Sequence, residues 1–96
     1  MKKKDLSLDE VINIIRKNNL ITKHNVNKIA LFGSLVNGHK ANDIDILIEG
    51  DFDYMKLIEF KNELEKLVHK KVDIVIEKFA NPIILYRAKK ELIYVS

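Results

Sequence analysis

Two aspartates separated by one residue, Asp43 and Asp45, follow closely after a glycine-bounded turn at residues 33–38. On a strand, side chains at positions i and i+2 point to the same face, so both carboxylates would project together. Like charges held this close repel each other unless a positive charge lies between them. A divalent cation meets that need, because Mg²⁺ usually binds through one or two carboxylates and the phosphates of a substrate. The pattern is typical of nucleotide chemistry.

The turn itself has the composition of a phosphate-binding segment. Gly33 ends an apolar run and permits backbone angles or a close approach that a Cβ would forbid. Ser34 would then open one or two helical turns, whose free N–H groups and positive dipole end bind phosphate readily. The alternative is that Gly33 only turns the chain and Ser34 only caps a helix. For an isolated Gly-Ser pair that alternative would be preferred.

A third carboxylate, Asp73, lies within an apolar run at residues 72–76. A charge in such a run costs free energy unless it is paired or binds a ligand. If this strand lies beside the strand of Asp43 and Asp45, all three carboxylates share one open face. Two-metal nucleotidyl transfer uses such a set: two carboxylates fix the metals, and the third completes the site and takes a proton from an attacking hydroxyl. The alternative for Asp43 and Asp45 is an edge strand whose wet face only meets water.

The chain also repeats the Asp-x-Asp spacing at Asp51 and Asp53. This second pair follows a glycine and precedes a helical pattern, so helix N-capping explains it. Solvated or capping roles are favoured over catalytic ones for the histidines, and surface charge explains the lysine near the turn as well as phosphate contact would. These residues are His24, His39, His69 and Lys40.

Periodic patterns place the motifs on alternating helices and strands. Ser7 and Glu10 form a capping box for a helix that ends near residues 18–19. The pattern then predicts strands over residues 28–32, 43–48 and 72–76, a helix over about 54–69, a short helix with Pro82 in its first turn, and a closing strand or extended tail over 92–95. This order predicts an α/β (α+β) fold: a small mixed β-sheet of three to four strands with helices packed mainly on one face.

Size and composition limit the possible functions. The 96 residues predict a single domain, residues 1–96, with a basic flexible tail at 1–6 and no room for a separate substrate domain. The chain has no cysteine, so a thiolate metal site is excluded and a cytoplasmic location is expected. The formal net charge of +3 is spread out rather than gathered in a stripe, which argues against direct nucleic-acid binding. No apolar run reaches the length of a membrane span.

Residues 31–46, taken with Asp73 in the later strand, resemble the signature of the minimal nucleotidyltransferases. These proteins belong to the DNA polymerase beta-like nucleotidyltransferase superfamily. The motif combines Gly-Ser with a following glycine, then Asp-x-Asp, then the later strand aspartate. In element order the resemblance covers roughly residues 8–95, and it implies the nucleotidyltransferase fold.

The resemblance also implies a role for each motif residue. Gly33 and Ser34 would hold the triphosphate of ATP, and Asp43 and Asp45 would bind Mg²⁺, with two ions when the nucleotide is bound. Asp73 would complete the metal site and activate the acceptor hydroxyl. The implied reaction is in-line attack on the α-phosphorus of ATP with release of pyrophosphate.

Small free-standing members of this family typically pair with a HEPN-domain protein in toxin–antitoxin systems. The resemblance therefore implies an antitoxin that adenylylates a tyrosine of a HEPN toxin, within a homo- or hetero-oligomer. Family members often carry an arginine at one or both of the positions occupied here by Leu35 and Asn37. Two alternatives stay open: a binding-only antitoxin with a decayed site that masks its toxin by contact, and a small-molecule nucleotidyltransferase.

Overall fold

The computed structural model describes residues 6–26, 28–38 and 43–96. Its described residues form one four-stranded sheet in the order β3-β2-β1-β4. Strand β1 pairs antiparallel with both β2 and β4, whereas β2 and β3 run parallel. The predicted mixed sheet is therefore confirmed, and the last segment of the chain is a strand rather than an extended tail. The strands are β1 Ile29–Phe32, β2 Asp43–Ile48, β3 Lys71–Ile76 and β4 Ile93–Val95.

Four α-helices accompany the sheet within the described residues, together with two single 3-10 turns. The third helix connects β2 to β3, because parallel neighbouring strands need a crossover of about a dozen residues or more. The helices are α1 Leu8–Lys17, α2 Leu20–Lys23, α3 Tyr54–Val68 and α4 Pro82–Ala88, and the 3-10 turns are Gly33–Leu35 and Glu77–Phe79.

The helix starts follow the capping chemistry predicted from the sequence. Ser7 Oγ accepts a hydrogen bond from the Glu10 backbone N–H at 3.2 Å, and the Glu10 carboxylate accepts one from the Ser7 N–H at 3.4 Å. This reciprocal pair is the expected capping box. Helix α4 begins with Pro82, whose missing N–H has no intrahelical partner to lose at that position.

The hydrophobic core lies on one face of the sheet, against helices α1 to α3. Because side chains alternate along a strand, every second residue of β1 and β2 contributes to this core. The remaining residues of β2 and β3, including three aspartates, therefore lie on the opposite face. The largest fully buried core side chains are Ile29, Leu31, Ile44, Ile46, Ile48 and Val72 from the strands and Val11, Ile15, Leu20, Phe60 and Leu64 from the helices.

One element that the sequence did not predict is α2. Asn19 adopts a left-handed backbone conformation with φ of 53°, and the four-residue helix starts immediately after it. A helix of one turn is too short to leave a periodic signal. As a result His24, for which a solvated or capping role was expected, forms the C-cap of α2 and is only 6% exposed.

Some expectations fall outside the described residues. These are the loop at 39–42, with His39 and Lys40, and residues 1–5 of the expected tail. Leu6, the last residue of that tail, packs against the core. Among the described residues no helix is long and apolar enough to cross a membrane.

Candidate active site

The parallel pairing of β2 and β3 brings the three aspartates to one face of the sheet. Asp45 is the register partner of Asp73, and Asp43 is the register partner of Lys71. All four side chains lie on the face opposite the core, since their neighbours Ile44 and Val72 are fully buried. The sheet register thus groups two carboxylates from one strand with a third from the next.

The carboxylates of this group interact electrostatically. Burial, followed by the charges of Asp73 and Asp43, raises the pKa of the Asp45 carboxyl above its usual value. Asp73 also has a cationic neighbour, because the Lys71 Nζ lies 3.5 Å from its Oδ1. Sequence reasoning missed Lys71, although its position two residues before Asp73 on a strand puts both side chains on one face.

Three carboxylates are a donor set that suits a hard divalent cation such as Mg²⁺. Burial is the main cause of the raised pKa of Asp45, and a cation between the carboxylates would relieve the repulsion by Asp73 and Asp43 that adds to it. Even so, no three carboxylate or histidine side chains converge into a closed ligand cluster anywhere in residues 6–26, 28–38 and 43–96. The arrangement is therefore an acidic patch that a cation could draw together, rather than a rigid cage.

Gly33 packs directly against this acidic patch. Its φ is +80°, and a Cβ added at this position would overlap the Oδ2 of Asp45. Both facts require glycine, the first because of backbone strain and the second because of space. The 3-10 turn is closed by hydrogen bonds from the N–H groups of Val36 and Asn37 to the Gly33 carbonyl, both at 3.1 Å. Gly33 therefore fixes the predicted phosphate turn beside the middle carboxylate.

Ser34, the other predicted phosphate ligand, follows Gly33 in the 3-10 turn and is exposed. Leu35, one residue further on, is buried and anchors the turn in the core. The hydroxyl of Ser34 is thus free to meet a ligand from solvent while the turn itself is held in place.

The described histidines lie apart from this group. The Nε2 of His24 lies 2.8 Å from the Oε1 of Glu63, and its ring stands edge-on to Phe60 with centroids 6.3 Å apart. His69 ends α3 in a left-handed conformation with φ of 56°. His24 is thus packed inside the described chain rather than solvated, whereas His69 forms the C-cap of α3.

A cavity of about 380 Å³ lies next to the phosphate turn, between this turn and the end of α4. Gly33 and Asn37 line it from the turn, and Arg87 and Lys90 line it from the helix and the residues that follow. Sequence reasoning did not select these two cations, because nothing in the spacing of residues shows that α4 packs beside a turn some fifty residues earlier. Both are cations close together in sequence at the end of a predicted short helix, and that was the only available signal.

Comparison with known proteins shows the family to which the chain belongs. The family described as Polymerase beta, Nucleotidyltransferase matches residues 9–96. The chain belongs to this family. A candidate protein adenylyltransferase of Methanocaldococcus jannaschii is 38% identical to this nucleotidyltransferase over 101 aligned residues, which cover 93% of this chain and 98% of the relative. The protein adenylyltransferase MntA of Thermococcus cleftensis is 32% identical over 96 residues, covering 94% and 97%.

Solved structures agree on the fold. A candidate minimal nucleotidyltransferase aligns with a TM-score of 0.74 and 22% identity over 95% of this chain and 98% of its own. A chain from the complex of tri-AMPylated Shewanella oneidensis HEPN toxin with MNT antitoxin aligns with a TM-score of 0.64 and 22% identity, covering 90% of this chain and 69% of its own. At this level of identity the likeness establishes the nucleotidyltransferase fold and nothing finer.

Proposed function

We propose that this nucleotidyltransferase transfers AMP from ATP to a hydroxyl of a partner protein, with a tyrosine of a HEPN toxin as the expected acceptor, and thereby acts as an antitoxin. The observation that carries the proposal is the pairing of Asp45 with Asp73 beside Asp43 and Gly33. The name of the Thermococcus relative and the AMPylated toxin in the Shewanella complex support the reaction class and the partner.

In this proposal Asp43, Asp45 and Asp73 would hold Mg²⁺, with two ions when ATP is bound. The metal would neutralise charge on the phosphates. Asp73 would accept the proton of the acceptor hydroxyl as its oxygen bonds to the α-phosphorus. The bond from the α-phosphorus to the oxygen that bridges to the β-phosphate breaks, and pyrophosphate leaves with the electron pair. Gly33 would let the phosphates approach the backbone closely.

The acceptor has to come from outside the chain in this proposal. The three aspartates lie on the sheet face that helices α1 to α3 leave uncovered. Hydrophobic side chains are exposed on and just before α4: Phe79 by 75%, Ile83 by 64% and Tyr86 by 70%. Exposed apolar groups of this kind mark a surface suited to a protein partner.

The test is transfer from α-labelled ATP, in Mg²⁺ buffer, to proteins in a lysate of the source organism. We expect a labelled protein band with the wild-type chain and with Asp51→Asn/Asp53→Asn, which keeps the same number of substitutions outside the site. We expect no band with Asp43→Asn/Asp45→Asn or after chelation of Mg²⁺. Label from γ-labelled ATP instead of α-labelled ATP would indicate phosphorylation and would contradict the proposal.

A second candidate is a binding-only antitoxin with a decayed site. It is favoured by the turn at residues 33–38, which contains no cationic side chain to bind a triphosphate. Co-expression with the toxin separates the two candidates. If the Asp43→Asn/Asp45→Asn variant still rescues growth as well as the wild type, masking by contact explains the antitoxin function. If rescue is lost while the variant stays folded and bound to the toxin, transfer explains it.

A further inference from the structure

The cavity beside the phosphate turn and the proposed site have one residue in common, Gly33. Gly33 lines the cavity, and a Cβ added to it would overlap the Oδ2 of Asp45. A linear ligand could therefore reach from the carboxylates into the cavity across Gly33. At about 380 Å³ the cavity is within the usual size range of small-molecule sites.

Arg87 and Lys90, the cations that line the cavity, differ from Lys89, which lies between them in sequence. Arg87 is exposed to solvent, and its guanidinium forms no ion pair or hydrogen bond with the described residues. Lys90 lines the cavity as well, and its ammonium lies 4.9 Å from the centroid of the Tyr86 ring. Lys89, in contrast, does not line the cavity, and its ammonium is engaged by the Glu77 carboxylate at 2.8 Å.

The side of the cavity that belongs to the turn offers only uncharged groups. Gly33 and Asn37 contribute backbone and amide groups, and residues 33–38 contain no lysine or arginine. A polyphosphate bound there would need its cations from elsewhere, because charge-assisted hydrogen bonds are about twice as strong as neutral ones. Arg87 is well suited to supply them, since its planar guanidinium matches phosphate geometry in a bidentate manner.

We propose that this cavity binds the β- and γ-phosphates of the nucleotide, with Arg87 as the principal cation and Lys90 as the second. This inference rests on the proposed function for the identity of the ligand as a nucleoside triphosphate. In this arrangement the α-phosphorus lies at the carboxylates, and the pyrophosphate to be released lies against α4. Glu91 also lines the cavity and opposes the binding of an anion, so its charge limits how tightly pyrophosphate is retained.

Calorimetric titration with two probes tests this assignment: inorganic tripolyphosphate with Mg²⁺, and the non-cleavable α,β-methylene analogue of ATP with Mg²⁺. We expect Arg87→Gln to lower the affinity for both probes by about tenfold or more, because it removes a charge-assisted contact. Lys90→Gln should weaken both by a smaller factor, and Glu91→Gln should strengthen them. Lys89→Gln is the matched control, because Lys89 lies between the two cations in sequence but does not line the cavity. Its affinity for both probes should stay within about twofold of wild type.

The outcomes separate this inference from the function on which it rests. If Arg87→Gln and Lys89→Gln bind both probes like the wild type, or if the wild type binds neither, the assignment is wrong. If Arg87→Gln weakens both probes but no AMP transfer to any protein is found, the polyphosphate site stands and the proposed function fails. Arg87→Lys should recover part of the affinity, and unchanged melting curves would show that the losses are not due to unfolding.

Discussion

The two Asp-x-Asp segments of this chain have the same spacing and different surroundings. Asp43 and Asp45 lie on strand β2, where the register pairs Asp45 with Asp73 on β3. Asp51 and Asp53 lie between β2 and α3, where the Asp51 side chain is 98% exposed and forms a 3.5 Å ion pair with Lys78. Asp53 accepts a hydrogen bond from the Lys56 backbone N–H at 3.2 Å and so caps α3.

The Asp-x-Asp spacing therefore does not by itself create a metal-binding or catalytic site. A strand forces side chains two apart to the same face and places a neighbouring strand beside them. In the loop before α3 the two carboxylates interact with different groups: Asp51 pairs with Lys78, and Asp53 accepts a hydrogen bond from a backbone N–H. Within the first pair, burial and then the charges of Asp73 and Asp43 raise the pKa of Asp45.

The largest expected effect is on transfer. Asp43→Asn or Asp45→Asn should lower the rate of AMP transfer by roughly a hundredfold or more, because each removes a charge that the reaction needs. The double variant Asp51→Asn/Asp53→Asn should stay within about twofold of wild type. Single-turnover rates of AMP transfer to the purified partner would measure the effect of each variant. Equal losses of rate from substitutions in the two segments would contradict the difference between them.

Substitution of the glycines next to the two segments gives the next largest effect. Gly33→Ala adds a Cβ that overlaps Asp45, so we expect loss of transfer and a loss of unfolding free energy beyond the roughly 1–2 kcal/mol of left-handed strain. Gly50→Ala is the matched control, since its φ of +77° is similar and nothing lies within 4 Å of the added Cβ. Denaturant melts and transfer assays on both variants check this. Equal behaviour would mean that the contact with Asp45 is unimportant.

Removal of the helix cap should affect stability alone. Asp53→Ala leaves the Lys56 N–H without its acceptor, and we expect a loss of about 1 kcal/mol in unfolding free energy. Asp53→Asn should retain most of this stability because asparagine also caps helices. Transfer per folded molecule should be unchanged in both variants. A specific loss of transfer in Asp53→Ala would assign this segment a part in the chemistry.

The smallest expected effect is a rise in melting temperature for the metal-free Asp45→Asn variant at neutral pH. Because the folded-state pKa of Asp45 is raised, the folded protein binds more protons than the unfolded chain at pH values between the unfolded and the folded pKa. Ionised Asp45 therefore lowers stability above its folded pKa. The gain from Asp45→Asn should shrink as the pH falls through the folded pKa of Asp45 and should be absent below about pH 4, the unfolded value. Asp51→Asn should give no comparable gain at any pH.

Most of the elements that carry the site could be predicted from sequence. The strand at residues 43–48 has the predicted bounds, and α3 at Tyr54–Val68 ends one residue before the predicted limit. Ser7 and Pro82 mark the starts of α1 and α4 as their chemistry requires. These features depend on periodicity and local capping, which are properties of short stretches of chain. Helix α2 left no such signal, and so the burial of His24 was missed.

The amino-acid sequence alone predicts that Asp43 and Asp45 share a strand face, that Gly33 ends a strand, and that Asp73 lies within an apolar strand. The pairing of Asp73 with Asp45, the packing of Gly33 on the Asp45 carboxylate, and the position of Arg87 and Lys90 across a cavity from the turn become visible only in the folded chain. The physical reason is that alternation and turn formation depend on neighbours in sequence. Strand order, register and helix placement depend on how distant apolar faces are buried together.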